Sequence, residues 1–142
     1  MMDSDFGTLT LQKPAVGFSL PADLRISDKL TDNIERLNNI ALLKQDWNGC
    51  GAKPFSHILL NRVKEIISNL YEQPDLFPTG RQSIQLEYHS TNGNYLEFEI
   101  FEERVIAMQV TGDDYDNAQF WELSCGDLTQ IKQIAGNFVN AA

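Results

Sequence analysis

The hydrophobic period of this chain changes at Ser83, and that change does most to limit what the chain can fold into. Before it, apolar residues recur at helical spacing, at Leu30, Ile34, Leu37 and Ala41 and then at Leu59, Leu60, Val63, Ile66, Ile67 and Leu70. After it they alternate: Ile84, Leu86 and Tyr88 are interleaved with Ser83, Gln85, Glu87 and His89, and Leu96, Phe98 and Ile100 with Tyr95, Glu97, Glu99 and Phe101. Each of these strands has one apolar face, and striped helices can cover that face.

The spacing predicts a first helix over residues 27–43, with Ser27 or Asp28 as N-cap, and a second over 56–71 capped by Ser56. Pro74 and Pro78 then stop the helix and bound a loop. A third strand is expected over 105–110, where Ile106, Met108 and Val110 outweigh Val105, Ala107 and Gln109 and should face the core. Residues 111–117 form an acidic loop and 120–123 a short fourth strand. Asp127 with Gln130 reads as a capping box opening a last helix that carries Leu128, Ile131, Ile134, Ala135 and Phe138. The class is therefore α+β, an antiparallel three- to four-stranded sheet covered on one face by helices, in the order α-α-β-β-β-(β)-α. Residues 1–25, broken by Pro14, Gly17 and Pro21, read as an irregular N-terminal arm in which Leu20-Pro21-Ala22-Asp23-Leu24 can dock apolar contacts. Residues 26–142 form one domain, and a chain of this length buries roughly two-thirds of its unfolded surface in a single core.

The register of the hairpin follows from its turn, Thr91-Asn92-Gly93. A two-residue loop at Asn92-Gly93 would pair Leu86 with Glu99 and Tyr88 with Glu97, mixing the faces. A three-residue loop with Gly93 in the left-handed conformation pairs Tyr88 with Leu96, Leu86 with Phe98 and Ile84 with Ile100. The second register keeps one face buried and is the expected one. It also sets Glu87 opposite Glu97 and Gln85 opposite Glu99. Like charges directly across a strand pair are mildly destabilising, so that face must meet water, a cation or basic side chains.

Charge follows the same division. Residues 1–81 hold 10 acids and 9 bases, whereas residues 82–142 hold 10 acids and two bases, Arg104 and Lys132. Nearly all of the net charge of −9 thus belongs to the strand-rich part. An acidic surface suits a basic partner or a cation and repels nucleic-acid phosphates, so direct nucleic-acid binding is not expected. Cys50 and Cys125 lack CxxC or ligand spacing and read as two reduced thiols of a cytoplasmic protein. No apolar run reaches membrane-spanning length, and Met1 to Asp5 is acidic, unlike a secretory leader.

Between the two helical stretches stands Asp46-Trp47-Asn48-Gly49-Cys50-Gly51-Ala52-Lys53-Pro54. It follows a helix rather than a strand and matches no phosphate-binding glycine motif, so Trp47 reads as the anchor of a structural corner. With this loop, and with Ile84-Gln85-Leu86-Glu87-Tyr88 and Tyr95-Leu96-Glu97-Phe98-Glu99-Ile100 after it, the chain resembles a group of small bacterial proteins carrying a D-W-[DN]-G-x-G-A-x-P loop. The likeness covers about residues 42–106 and implies a shared fold; it brings no activity and no functional residue with it.

Candidate chemistry is sparse. Cys50 with His57 or His89 lacks a third, orienting group, so no catalytic residue is assigned. Asp113, Asp114 and Asp116 depart from the calcium-loop pattern, with Ala118 and Gln119 where a later ligand and the glycine would stand, and neither a metal nor a cofactor is expected. Glu87, Glu97 and Glu99, edged by Tyr95 and Phe101, together with Asp113, Asp114 and Asp116, edged by Tyr115, form the expected partner-binding surface. It would engage a basic protein, as antitoxins, immunity proteins and inhibitors of nucleic-acid-binding enzymes do. The rival expectation is a small-molecule or enzymatic pocket beside the 47–54 loop at Trp47, Asn48 and Cys50. Homodimerisation through an exposed edge strand is compatible with both.

Overall fold

The computed structural model describes residues 22–124 and 126–141, with side chains from Asp28 onward. Helix α1 runs over Ala22–Ile40 and α2 over His57–Ser68. Five strands follow: β1 (Asp75–Pro78), β2 (Ile84–His89), β3 (Tyr95–Ile100), β4 (Arg104–Val110) and β5 (Gln119–Ser124). Helix α3, Leu128–Ala141, closes the described chain. The sheet is an antiparallel meander in the order β1-β2-β3-β4-β5. No helix among the described residues is long and apolar enough to cross a membrane.

The α+β class and the helix-covered sheet agree with the sequence, and the differences are local. Helix α1 starts at Ala22, so Ser27 and Asp28 lie inside it and neither caps it. Residues 22–25 thus belong to the helix, while the rest of the arm lies outside the described residues. Ser56 does cap α2, accepting the Leu59 amide on its hydroxyl at 3.1 Å. The stretch between Pro74 and Pro78 is not a plain loop but carries β1, which pairs with β2. Proline hides such a strand from a sequence reading, yet an edge strand tolerates it because one side of its backbone has no ladder to donate to. On α3, Asp127 accepts the Gln130 amide at 3.1 Å, one half of the expected capping box.

The register of the β2–β3 hairpin is the three-residue one. Tyr88 pairs with Leu96, Leu86 with Phe98, Ile84 with Ile100, Glu87 with Glu97 and Gln85 with Glu99. Gly93 has φ +79 and Ser90 donates its amide to Asn94, closing the bend. The facing of β4 is the reverse of that expected from side-chain bulk. Val105 and Ala107 are fully buried against the helices, and Ile106 and Met108 lie on the opposite side of the sheet. The cause is the next turn. The Phe101 amide donates to the Arg104 carbonyl across only Glu102 and Glu103, so inward Ile100 must pair with inward Val105.

One core lies between this inner face and the helices. Leu37 and Ile40 of α1, Leu59, Val63, Ile66 and Ile67 of α2, and Ile131, Ala135 and Phe138 of α3 pack on Leu76, Ile84, Leu86, Leu96, Phe98, Ile100, Val105 and Ala107. Buried Asn33 of α1 donates to the Gln73 side chain and the Pro74 carbonyl, and Gln73 donates to the carbonyls of Ile67 and Leu70. This network satisfies the end of α2 and fixes where β1 begins. The edge of β1 is shielded as well: Arg36 donates to the Leu76 carbonyl and stacks over Phe77, and Lys29 pairs with Asp75 at 3.1 Å.

Candidate functional site

The helices cover one side of the sheet only, and the residues of the other side follow from the pairing. One cross-strand row reads Asp75, Glu87, Glu97, Met108 and Phe120 from β1 to β5. The adjacent row reads Phe77, Gln85, Glu99, Ile106 and Glu122. A third, shorter row holds His89, Tyr95 and Val110. The outer face is therefore acidic over β1–β3 and, apart from the exposed Glu122, apolar over β4–β5.

Glu87 and Glu97 are half-buried neighbours, and no lysine or arginine among the described residues pairs with either. Tyr95 donates its hydroxyl to Glu97 Oε1 at 2.7 Å. His89 Nε2 stands 3.4 Å from Glu87 Oε1, and its ring lies 4.9 Å from that of Tyr95. Burial raises the Glu97 carboxyl above its ordinary range; the Tyr95 hydrogen bond opposes the rise, the Glu87 and Glu99 carboxylates add to it, and the Arg81 charge offsets a smaller part. The Tyr95 phenol is likewise driven upward, by burial first and then by its bond to Glu97. A carboxylate pair of this kind costs about 0.2–1 kcal/mol of fold stability unless something neutralises it.

Glu99 is placed differently. It is only 8% exposed, and one of its oxygens accepts from Arg81 Nη2 at 2.6 Å, from Arg81 Nε at 3.0 Å and from the Ser83 hydroxyl. Its charge is spent inside the protein. Phe101 also stands apart, with Arg104 stacked 4.8 Å over its ring beside the β3–β4 turn. Asp75 extends the acidic row on β1, with the Lys29 ammonium 3.1 Å from its carboxylate. The sequence signal for Asp75 was hidden with β1 between the two prolines.

The acidic loop is drawn to the same face. The Asp113 amide donates to the Gly93 carbonyl and the Gly112 amide to the Asn94 side chain, fixing the loop to the hairpin tip. Tyr115, 58% exposed, opens a 3-10 turn (Tyr115–Asn117) and lies 6.4 Å from the Tyr95 ring. Asp113, Asp114 and Asp116 are exposed, and Asp114 accepts from the Asn117 side chain. The structure thus brings Tyr95, Tyr115, Glu87 and Glu97 together, with the aspartates at the margin. Among the described residues no cluster of three or more His, Cys, Asp or Glu side chains is arranged to hold a metal ion.

The 46–54 loop spends its polar groups on itself. Asp46 accepts the Gly51 amide, Asn48 accepts those of Cys50 and Ala52, and the Trp47 indole donates to the Lys53 carbonyl at 3.1 Å. Trp47 is partly buried and packs 5.8 Å from Phe55. Cys50 is an exposed free thiol; Cys125 lies outside the described residues. Among the described residues, the principal clefts lie elsewhere. The largest, about 600 Å³, runs between the helices past Leu30, Tyr71, Lys132 and Val139. Among the described residues, Trp47, Asn48 and Cys50 line neither this cleft nor the next in size, at the β3–β4 turn beside Arg81 and Glu103.

Comparison with protein-family models, with curated proteins and with solved structures finds no match for this chain.

Proposed function

We propose that this protein is an acidic interaction module whose uncovered sheet face binds a basic surface of another protein, in the manner of an antitoxin, immunity protein or inhibitor. The observation that carries the reading is the Glu87–Glu97 pair: two carboxylates side by side on the sheet, with no lysine or arginine among the described residues in a salt bridge to either, His89 beside Glu87, and the Lys29-paired Asp75 beyond them. The arrangement costs the free protein stability, and a cationic side chain supplied from outside would remove that cost. Exposed Tyr115, backed by the buried Tyr95 ring, adds aromatic surface to the acidic margin, a composition common at interfaces. A pocket beside the 46–54 loop has less support, since the loop's amides and side chains satisfy one another.

The test is affinity capture at low ionic strength with the tagged protein and with a Glu87→Lys/Glu97→Lys double variant. A protein held by the wild type, lost from the variant and eluted by salt is expected. A partner retained equally by both, or one that salt does not elute, rejects the reading.

A further inference from the structure

The outer face has a second half. Beyond Glu97 the row continues into Met108 and Phe120, and Ile106 lies beside them. Phe120, near the start of edge strand β5, is 64% exposed, a large apolar side chain open to solvent. This strip is next to the acids and as open as they are. It makes an acidic band and an apolar band that run side by side along the strands, with Glu122 at the outer margin of the apolar one.

We infer that the occupant of this face is a cationic amphipathic helix of a partner protein, lying along β3 and β4 with its basic flank over Glu87 and Glu97 and its apolar stripe on Ile106, Met108 and Phe120. This rests on the acidic-module reading and specifies the partner's chemistry. Dimensions support it. Strands lie about 4.8 Å apart, so the acidic and apolar bands are separated by about 10 Å, the width of one helix with its side chains. Charge opposes two other occupants. A second copy would bring its own net −9 against the acids, and residues 1–21 hold a single base, Lys13, beside Asp3 and Asp5. Helix-in-groove recognition of this kind reads apolar anchors at helical spacing.

The test uses the full chain and three synthetic probes in fluorescence anisotropy at low salt: a leucine–lysine peptide patterned to segregate its faces as a helix, the same composition scrambled, and an oligolysine of equal charge. The patterned peptide is expected to bind about 10–100-fold more tightly than the scrambled one, and Met108→Ser/Phe120→Ser to erase that margin while leaving oligolysine binding unchanged. Glu87→Gln/Glu97→Gln should weaken all three. Equal affinity for patterned and scrambled peptides overturns the helix inference and leaves the acidic module standing. Failure of every cationic probe to bind overturns both. A wild-type dimer in sedimentation that Phe120→Ser converts to monomer assigns the strip to a second copy and overturns the inference. Thermal melts of both double variants establish that they are folded.

Discussion

Glu97 lies half-buried beside Glu87 and accepts the Tyr95 hydroxyl, and its carboxyl keeps its proton to higher pH than it would in the unfolded chain. Between the ordinary carboxylate pKa and that raised value the folded state binds more protons. Glu97 therefore stabilises the fold at low pH, and its contribution falls as pH rises through that window. Glu97→Gln keeps the shape and an oxygen for Tyr95 and removes the charge. We expect it to flatten this part of the pH dependence and to raise stability at neutral pH by up to about 1 kcal/mol. Urea denaturation across pH shows the effect, and a variant less stable than wild type at neutral pH contradicts it. Arg81→Ala should act in the other direction. It leaves Glu99 nearly buried with Ser83 as its donor, for a loss of about 1.5–3 kcal/mol, nearer the lower figure because Arg81 itself is largely exposed. These two acids, two residues apart on one strand and one face, thus have opposite electrostatic roles. Alternation in the sequence placed them on the same face but carried no sign that Arg81 would fold back over one of them.

Turn length governs what could be read at the level of elements. The three-residue bend at Thr91-Asn92-Gly93 gave the β2–β3 register from the sequence, because mixing the faces would have put Glu99 against Leu86. The same reasoning applied to Glu102-Glu103 gives inward Val105 and Ala107, whereas side-chain bulk selects Ile106 and Met108, which the structure places outside. Bulk misleads here because the outer face of β4 is itself apolar. β1 escaped notice for a different reason: it is four residues long, ends on Pro78, and is held at its edge by Arg36 and Lys29 from a helix far off in sequence. The caps of α2 and α3 were legible because a single side-chain oxygen three residues ahead of an amide defines each of them. Gly93 tests the bend directly. Its φ of +79 disfavours any side chain, and an added Cβ would fall onto the Asp113 carboxylate. Gly93→Ala is expected to cost about 1–3 kcal/mol. Asp113→Gly should recover part of this, since it removes the clash and relaxes a residue that itself has φ +62. Additive losses in the double-mutant cycle would show that the loop and the hairpin tip are not coupled.

The charge of the whole molecule acts on folding and on binding with opposite signs. A net −9, concentrated in residues 82–142, repels itself whenever the chain is compact, and Asp75, Glu87, Glu97 and the loop aspartates hold part of that charge on one face. The same field draws in a cation. Added salt screens both effects, most strongly between charges farther apart than the Debye length of about 8 Å at physiological ionic strength. Rising salt should therefore raise the melting temperature of the free protein and weaken its complex with a basic partner over the same concentration range. Glu87→Gln/Glu97→Gln should reduce both slopes together, because one carboxylate pair contributes to each. Thermal melts and titrations in matched salt series measure the two. If the variant loses the binding slope and keeps the full stability slope, the self-repulsion originates elsewhere in the acidic part, and the idea that a partner relieves strain at this pair is wrong. A stability that falls with salt would mean that attractive pairs such as Lys29–Asp75 and Arg81–Glu99 outweigh the repulsion among like charges. The excess of ten acids over two bases beyond residue 81 makes the rising slope the expected one.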